Sequence, residues 1–408
     1  MVLLLVPTAT LVRPSVADAH ANLIRSIPAD RAVLASPPRV ARFVFDDPVR
    51  IASGIRAVRN GGESVLGGSP HVIGSKNLVI PLKITGDGDY SVLWRVVSDD
   101  GHTDSGVISF GVGSGRAPPT PSLSASAGPS ARDVVSRWLV FAGLLIAAGG
   151  AFFRIVTGVG RSSVLLAPFV AVFLGASALL PHTGTLSTRF GAAYVAVALI
   201  AALGATAAAI SLVVRQAGVA AWGFALALLP LPSIAGHALD SGRPTFEVAV
   251  DIGHIAAAAV WTGGLVQLAL ALREGRAHQQ LLRRFSALAL VSVAVIAMTG
   301  VLRAFGELRA VDQLWTTGYG RLLIVKTALL ALLVAVGWVN RYRLLPKHRT
   351  SALRATVSAE LTLLGGLVVA VAILTAARPG RDHVAVAAAA PVRPAEPCAA
   401  AGSEARDR

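Results

Sequence analysis

Nine histidines, one cysteine and two methionines limit the metal chemistry open to this chain. Cys398 stands alone, so no intramolecular disulfide and no CxxC site can form. Met1 and Met298 do not make a methionine ladder for Cu(I). Any metal site must use nitrogen and oxygen, chiefly from histidine and aspartate, and such donors suit Cu(II). Ala17-Asp18-Ala19 has the A-x-A form of a signal-peptide cleavage site behind a short apolar stretch. No basic region precedes that stretch, which leaves the true start open upstream of Met1. Cleavage after Ala19 would make His20 the first residue. A free amine and an imidazole on one residue form a chelating pair for Cu(II); the plainer reading is an ordinary histidine near a cleavage site. Asp100-Gly101-His102 is the second constellation. On a strand or its extended exit, residues i and i+2 project to one side, and Gly101 lets the backbone between them bend. Taken alone, the triplet also reads as a turn, because Asp-Gly is a common turn pair.

A third group lies in the apolar part of the chain. Asp251 and His254, at i and i+3, share one helix face, which Trp261 continues. His182 and His237 each follow an apolar span, in Pro181-His182-Thr183-Gly184 and Gly236-His237-Ala238. Ionisable groups in a bilayer are costly and mark functional sites by default; singly, each histidine reads equally as a hydrogen-bonding residue at a helix end. Lys326 either pairs with Asp251 or snorkels to the interface, and Glu360 is placed to pair with a loop arginine.

Two domains of different solvent class must position these residues. Of 408 residues, 54% are hydrophobic and 14% charged, against about a quarter charged in soluble proteins; mean hydropathy is +0.65. Up to about residue 115 the chain has an ordinary soluble composition. Alternating runs at 39–45, 55–59, 78–84, 88–97 and 106–112, broken by Gly, Pro and Asp, predict an all-β sandwich over 20–113. Residues 114–133 form a Pro/Ser/Ala-rich linker, and 377–408 read as a disordered tail. Between them stand eight apolar spans, near 134–157, 163–181, 190–214, 219–235, 246–272, 286–305, 320–339 and 356–376. Each approaches the roughly 20 residues that cross a bilayer.

The net charge of +15 raises nucleic acid as a partner, but the basic residues fall between apolar spans, and nucleic-acid binding is not expected. Loops bearing Arg154, Arg215, Arg276 and Arg343 are richer in Lys and Arg than those bearing Arg189, Arg243 and Arg309. The positive-inside rule puts the first set in the cytoplasm. The amino-terminal domain is then outside the plasma membrane, the side that a signal peptide also requires. His182, His237, Asp251 and His254 fall toward that outer side.

His20-Ala21-Asn22-Leu23, Phe45-Asp46-Asp47-Pro48-Val49, the run Trp94-Arg95-Val96-Val97-Ser98 and Asp100-Gly101-His102 resemble the CopC family of periplasmic copper-binding proteins, in order over the whole first domain. The resemblance implies an immunoglobulin-like sandwich with Cu(II) held by His20, Asp100 and His102. It places Asp47 where many relatives carry a Glu near the metal, as an axial or outer-sphere residue. The Met-rich loop of some relatives has no counterpart near Ser69-Pro70-His71-Val72. Asp251-Ile252-Gly253-His254, Trp261-Thr262-Gly263-Gly264-Leu265, Arg284-Phe285-Ser286, Thr299-Gly300, Gly318-Tyr319-Gly320-Arg321 and Asn340-Arg341 resemble the CopD family, which is linked to copper transport and resistance.

Together these readings predict a non-enzymatic copper importer or homeostasis protein. It would capture Cu(II) outside and pass it along His182, His237, Asp251 and His254 toward a cytoplasmic copper acceptor. No GxxxxGK[ST] motif for nucleotide binding is present. Surface sequestration or sensing without transport is the alternative, for which eight spans are excessive. Redox chemistry at copper or haem is another; it would want histidines at both membrane depths, and the inner half offers only loop residues His278 and His348.

Overall fold

The computed structural model describes residues 23–98, 101, 103–123, 129–183, 186, 188–236, 243–308, 310–346 and 350–377. Nine strands come first: β1 (Leu23–Ile27), β2 (Ala32–Leu34), β3 (Val40–Phe45), β4 (Val49–Ile51), β5 (Arg56–Arg59), β6 (His71–Ile73), β7 (Asn77–Pro81), β8 (Gly88–Ser98) and β9 (Thr103–Val112). They form two sheets, β1-β3-β7-β6 and β2-β9-β8-β4, with β5 also paired to β8. The alternation read from the sequence is the packing: Ala41, Phe43 and Phe45 of β3 point inward together with Tyr90, Val92, Trp94 and Val96 of β8. Trp94 packs edge-on against Phe45 at 5.3 Å. Gly106 faces it across the β8–β9 pair, where a Cβ would stand 2.6 Å from the indole. Four of the strands, β1, β2, β4 and β6, were not among the sequence expectations. They have three to five residues each.

The helices are α1 (Ala131–Thr157), α2 (Leu166–Thr183), α3 (Arg189–Ile210), α4 (Ala217–Ala227), α5 (Leu231–Ala235), α6 (Pro244–Arg273), α7 (Gln279–Glu307), α8 (Gln313–Thr316), α9 (Gly318–Val339) and α10 (Thr350–Leu374). Eight helical segments among the described residues are long and apolar enough to cross a membrane. Helices α4 and α5 together make one of them, Ala217–Ala235, broken where Pro230 and Pro232 remove backbone donors. Helix α1 packs against α2, α4, α6 and α10. It does so at backbone distance: a Cβ on Gly149 would lie 2.6 Å from the Ala259 carbonyl carbon, and one on Gly263 would lie 2.7 Å from the Gly149 Cα. Without a hydrophobic drive between helices in lipid, small residues gain attraction by letting backbones touch. Met298 is 61% exposed on α7, as expected of an ordinary apolar residue facing lipid.

Candidate metal centre

His20, Asp100 and His102 lie outside the described residues, so the candidate site is approached through the strands that carry them. Pairing of β1 with β3 puts Leu23 opposite Phe45. Strand β1 thus opens beside the end of β3, its Leu23 opposite a residue two before Asp47. Pairing of β4 with β8 puts Val49 opposite Ser98, which sets the β3–β4 turn holding Asp47 beside the end of β8. The β8–β9 ladder closes with Val97 opposite Thr103, and Gly101 lies in the turn between them. Three register facts therefore put Leu23 at the start of β1, the Asp47 turn and Gly101 at one end of the sandwich. Asp47 is half-buried there. Asp104, just beyond the tip, is only 2% exposed. Sequence reasoning passed over it, although a carboxylate two residues past a candidate ligand is the kind of group that orients an imidazole.

Of the membrane residues singled out above, His237 lies outside the described residues, and His182 is placed only as part of α2. Asp251 and His254 share α6 and face α7. Asp251, 9% exposed, forms an ion pair with Arg303, not with Lys326. His254 Nδ1 lies 2.8 Å from Thr299 Oγ1. The two pairs run in opposite order, 251 with 303 and 254 with 299, as antiparallel neighbours require. Thr299 has one hydroxyl proton, and its Oγ1 donates to the Val295 carbonyl at 2.6 Å. Toward His254 it is then an acceptor, so a neutral ring carries its proton on Nδ1 and leaves the Nε2 lone pair for another partner. Lys326, half-buried on α9, lies within electrostatic reach of His254, Arg303 and Glu307.

Arg303 received no role from the sequence. The signal was present: an arginine inside an apolar span, at i+4 from Thr299 and so on the same face. Among the described residues, no group of three or more His, Cys, Asp or Glu side chains converges to hold a metal. Near the opposite ends of the spans, Glu360 accepts a 3.0 Å hydrogen bond from the Asn340 amide, while Arg341 donates to Ser286 Oγ at 2.7 Å. The expected arginine partner of Glu360 is thus replaced by Asn340, which opens the π-helical turn Asn340–Leu344. These groups border a cavity of about 70 Å³ that Trp261, Phe285 and Gly337 also line.

Comparison with known proteins agrees with both halves. Residues 23–113 match the CopC domain, and residues 279–374 match Copper resistance protein D (CopD). The chain is 24% identical over 405 residues to the copper transport protein CutJ of Bacillus subtilis, covering 89% of this chain and 75% of that one. It is 35% identical over 109 residues to protein YobA of Escherichia coli, covering 26% of this chain and 87% of that one. The crystal structure of CopC from Methylosinus trichosporium OB3b is similar with a TM-score of 0.22 and 23% identity, over 26% of this chain and 100% of that one. The two family matches and the eight membrane-crossing segments lead to one conclusion: this is a multi-pass membrane protein in which one chain joins a CopC domain, residues 23–113, to a copper resistance protein D domain, residues 279–374.

Proposed function

We propose that the chain captures Cu(II) outside the plasma membrane and passes copper inward through its helical domain, serving import or copper homeostasis. The observation that supports this reading is the strand register that puts Leu23, the Asp47 turn and Gly101 at one end of the sandwich. In it, removal of residues 1–19 exposes the His20 amine. His20 and His102 supply nitrogens, and Asp100 supplies an oxygen near an axial position. Asp47 is an axial or outer-sphere group. Residues 114–133 tether this site and raise its effective concentration at the membrane. The charge asymmetry of the loops supports an outward sandwich. His254, with Nε2 open, is the described membrane residue best suited to receive copper, with His182 and His237 as further donors and a cytoplasmic acceptor drawing copper onward. The relative named a copper transport protein, similar over most of both chains, supports the transport reading.

One observation favours sequestration without transport instead. Asp251 is already neutralised by Arg303, and a second cation, Lys326, lies near His254, so the local field does not invite a metal ion. Cellular copper separates the two readings. Cells lacking the protein are complemented with wild type or His254→Ala, and intracellular copper is measured by elemental analysis. The expected result is copper raised by wild type and returned to the deletion level by His254→Ala. Copper unchanged by wild type would overturn transport and leave sequestration.

A further inference from the structure

The tip of the β8–β9 hairpin does not end in solvent. Gly101 is buried. Its backbone takes φ +78°, and its N–H donates to the Ser98 carbonyl at 3.0 Å, closing the turn. A Cβ built on it would stand 2.7 and 2.8 Å from Cδ1 and Cδ2 of Phe190. Gly101 Cα therefore rests against the ring of a residue in the helical domain. Any side chain here would meet both a left-handed backbone and an aromatic ring.

Phe190 is a prepared seat. It is the second residue of α3 and is 3% exposed. Thr188 caps the helix, its hydroxyl accepting from the Gly191 N–H at 2.9 Å, which fixes the turn that carries the ring. Tyr194 stacks on Phe190 at 4.2 Å with 18° between the planes. The guanidinium of Arg137, from α1, lies 5.2 Å from the ring centroid. Arg137 is 6% exposed, and its Nε has no hydrogen-bond partner. A buried cation with an unpartnered Nε thus backs the ring that Gly101 meets. The flat ring matches a residue that has no side chain, as Gly101 has none.

The geometry points to an intramolecular docking surface: Phe190, backed by Tyr194 and Arg137, seats the Gly101 tip and holds the metal-binding loop in a fixed pose against the membrane domain. The seat stands on geometry; its role toward copper rests on the copper-site reading above. Phe190 is a positioning residue and touches no metal. Asp100 and His102 are covalent neighbours of the seated glycine, so fixing its Cα fixes the roots of both candidate ligands. Helix α2, which carries His182, and α3, which carries Phe190, meet at the same short connection. Copper released from the loop would thus be released at the bundle surface and not into bulk solvent.

Two readouts on the full chain test this. In a Cys398→Ser background, nitroxides at Ser69→Cys on the sandwich and Val135→Cys on α1 report the distance between domains by pulsed EPR without copper. Cu(II) affinity is measured separately by chelator competition. A narrow distance distribution is expected in the otherwise unmodified chain. Broad distributions are expected in both Phe190→Ala and Gly101→Val, which alter opposite sides of the contact, with Phe190→Leu intermediate. Phe190→Ala should also weaken Cu(II) binding by about 10-fold, as loss of an outer support does. A broad distribution in the unmodified chain overturns the docking, even if Cu(II) binds tightly and the copper-site reading stands. A narrow distribution that survives both substitutions overturns the seat. A seat that behaves as expected in a chain that binds no Cu(II) overturns the copper role and, with it, the copper-site reading.

Discussion

Purified protein that begins at His20 is expected to bind Cu(II) at least about 100-fold more tightly than the same chain with Ala19 left in front, since losing a ligand should cost no less than the 10–100-fold of losing an outer-sphere partner. The α-amine and Nδ1 of a first-residue histidine close a small chelate ring on copper through Cα, Cβ and Cγ. An added residue turns the amine into an amide, a poor donor until its proton is displaced. His102→Ala should cost about as much, because it removes the other nitrogen-bearing side chain of the proposed set. Binding must displace protons from amine and imidazole, so affinity should fall as the pH is lowered. Chelator competition followed by EPR checks both variants. Equal affinity with and without Ala19 would refute the amino-terminal chelate, while equal affinity in His102→Ala would move the site away from the hairpin tip.

Arg303→Ala is expected to destabilise the helical domain by about 2–3 kcal/mol, below the roughly 3–5 kcal/mol for stranding a fully buried charge. The reduction reflects the 39% exposure of the Arg303 side chain, which leaves Asp251 some alternative solvation. The double variant Asp251→Asn with Arg303→Ala should recover most of the loss, because no stranded charge remains. Thermal unfolding in detergent gives the order: wild type, then the double variant, then Arg303→Ala. Equal melting of the single and double variants would mean that the pair is not a coupled unit. The same cycle has a functional use. If copper transport survives in the double variant, Asp251 is a structural counter-ion and not a metal ligand.

The legible parts of this protein were those with a long period. Eight apolar spans need no neighbours to be recognised, because each must satisfy its own backbone in lipid. Strands β3, β8 and β9 show their inward faces through Phe43 and Phe45, Tyr90 to Val96, and Ile108 to Val112. Strands β1 and β4 were not read from the sequence, yet their pairing sets Leu23 beside the end of β3 and the Asp47 turn beside the end of β8. Helical spacing put Asp251 and His254 on one face, but it could not say which helix that face meets. Only packing shows that α7 brings Arg303 to one and Thr299 to the other. The Gly101 contact with Phe190 joins residues far apart in sequence across two domains. Asp-Gly read as a turn from sequence, and the positive φ agrees, but nothing local reveals that the turn is covered.

The most direct test of capture followed by inward passage is reconstitution in sealed vesicles, sandwich outward, with a copper chelator in the lumen. Copper supplied outside at a concentration below the Kd of the His102→Ala variant should accumulate in vesicles bearing wild-type protein. Vesicles bearing His102→Ala should fill far more slowly, because capture and passage are linked in one chain. Lumenal copper that rises no faster with wild type than in protein-free vesicles, or equally fast with His102→Ala, would contradict that linkage.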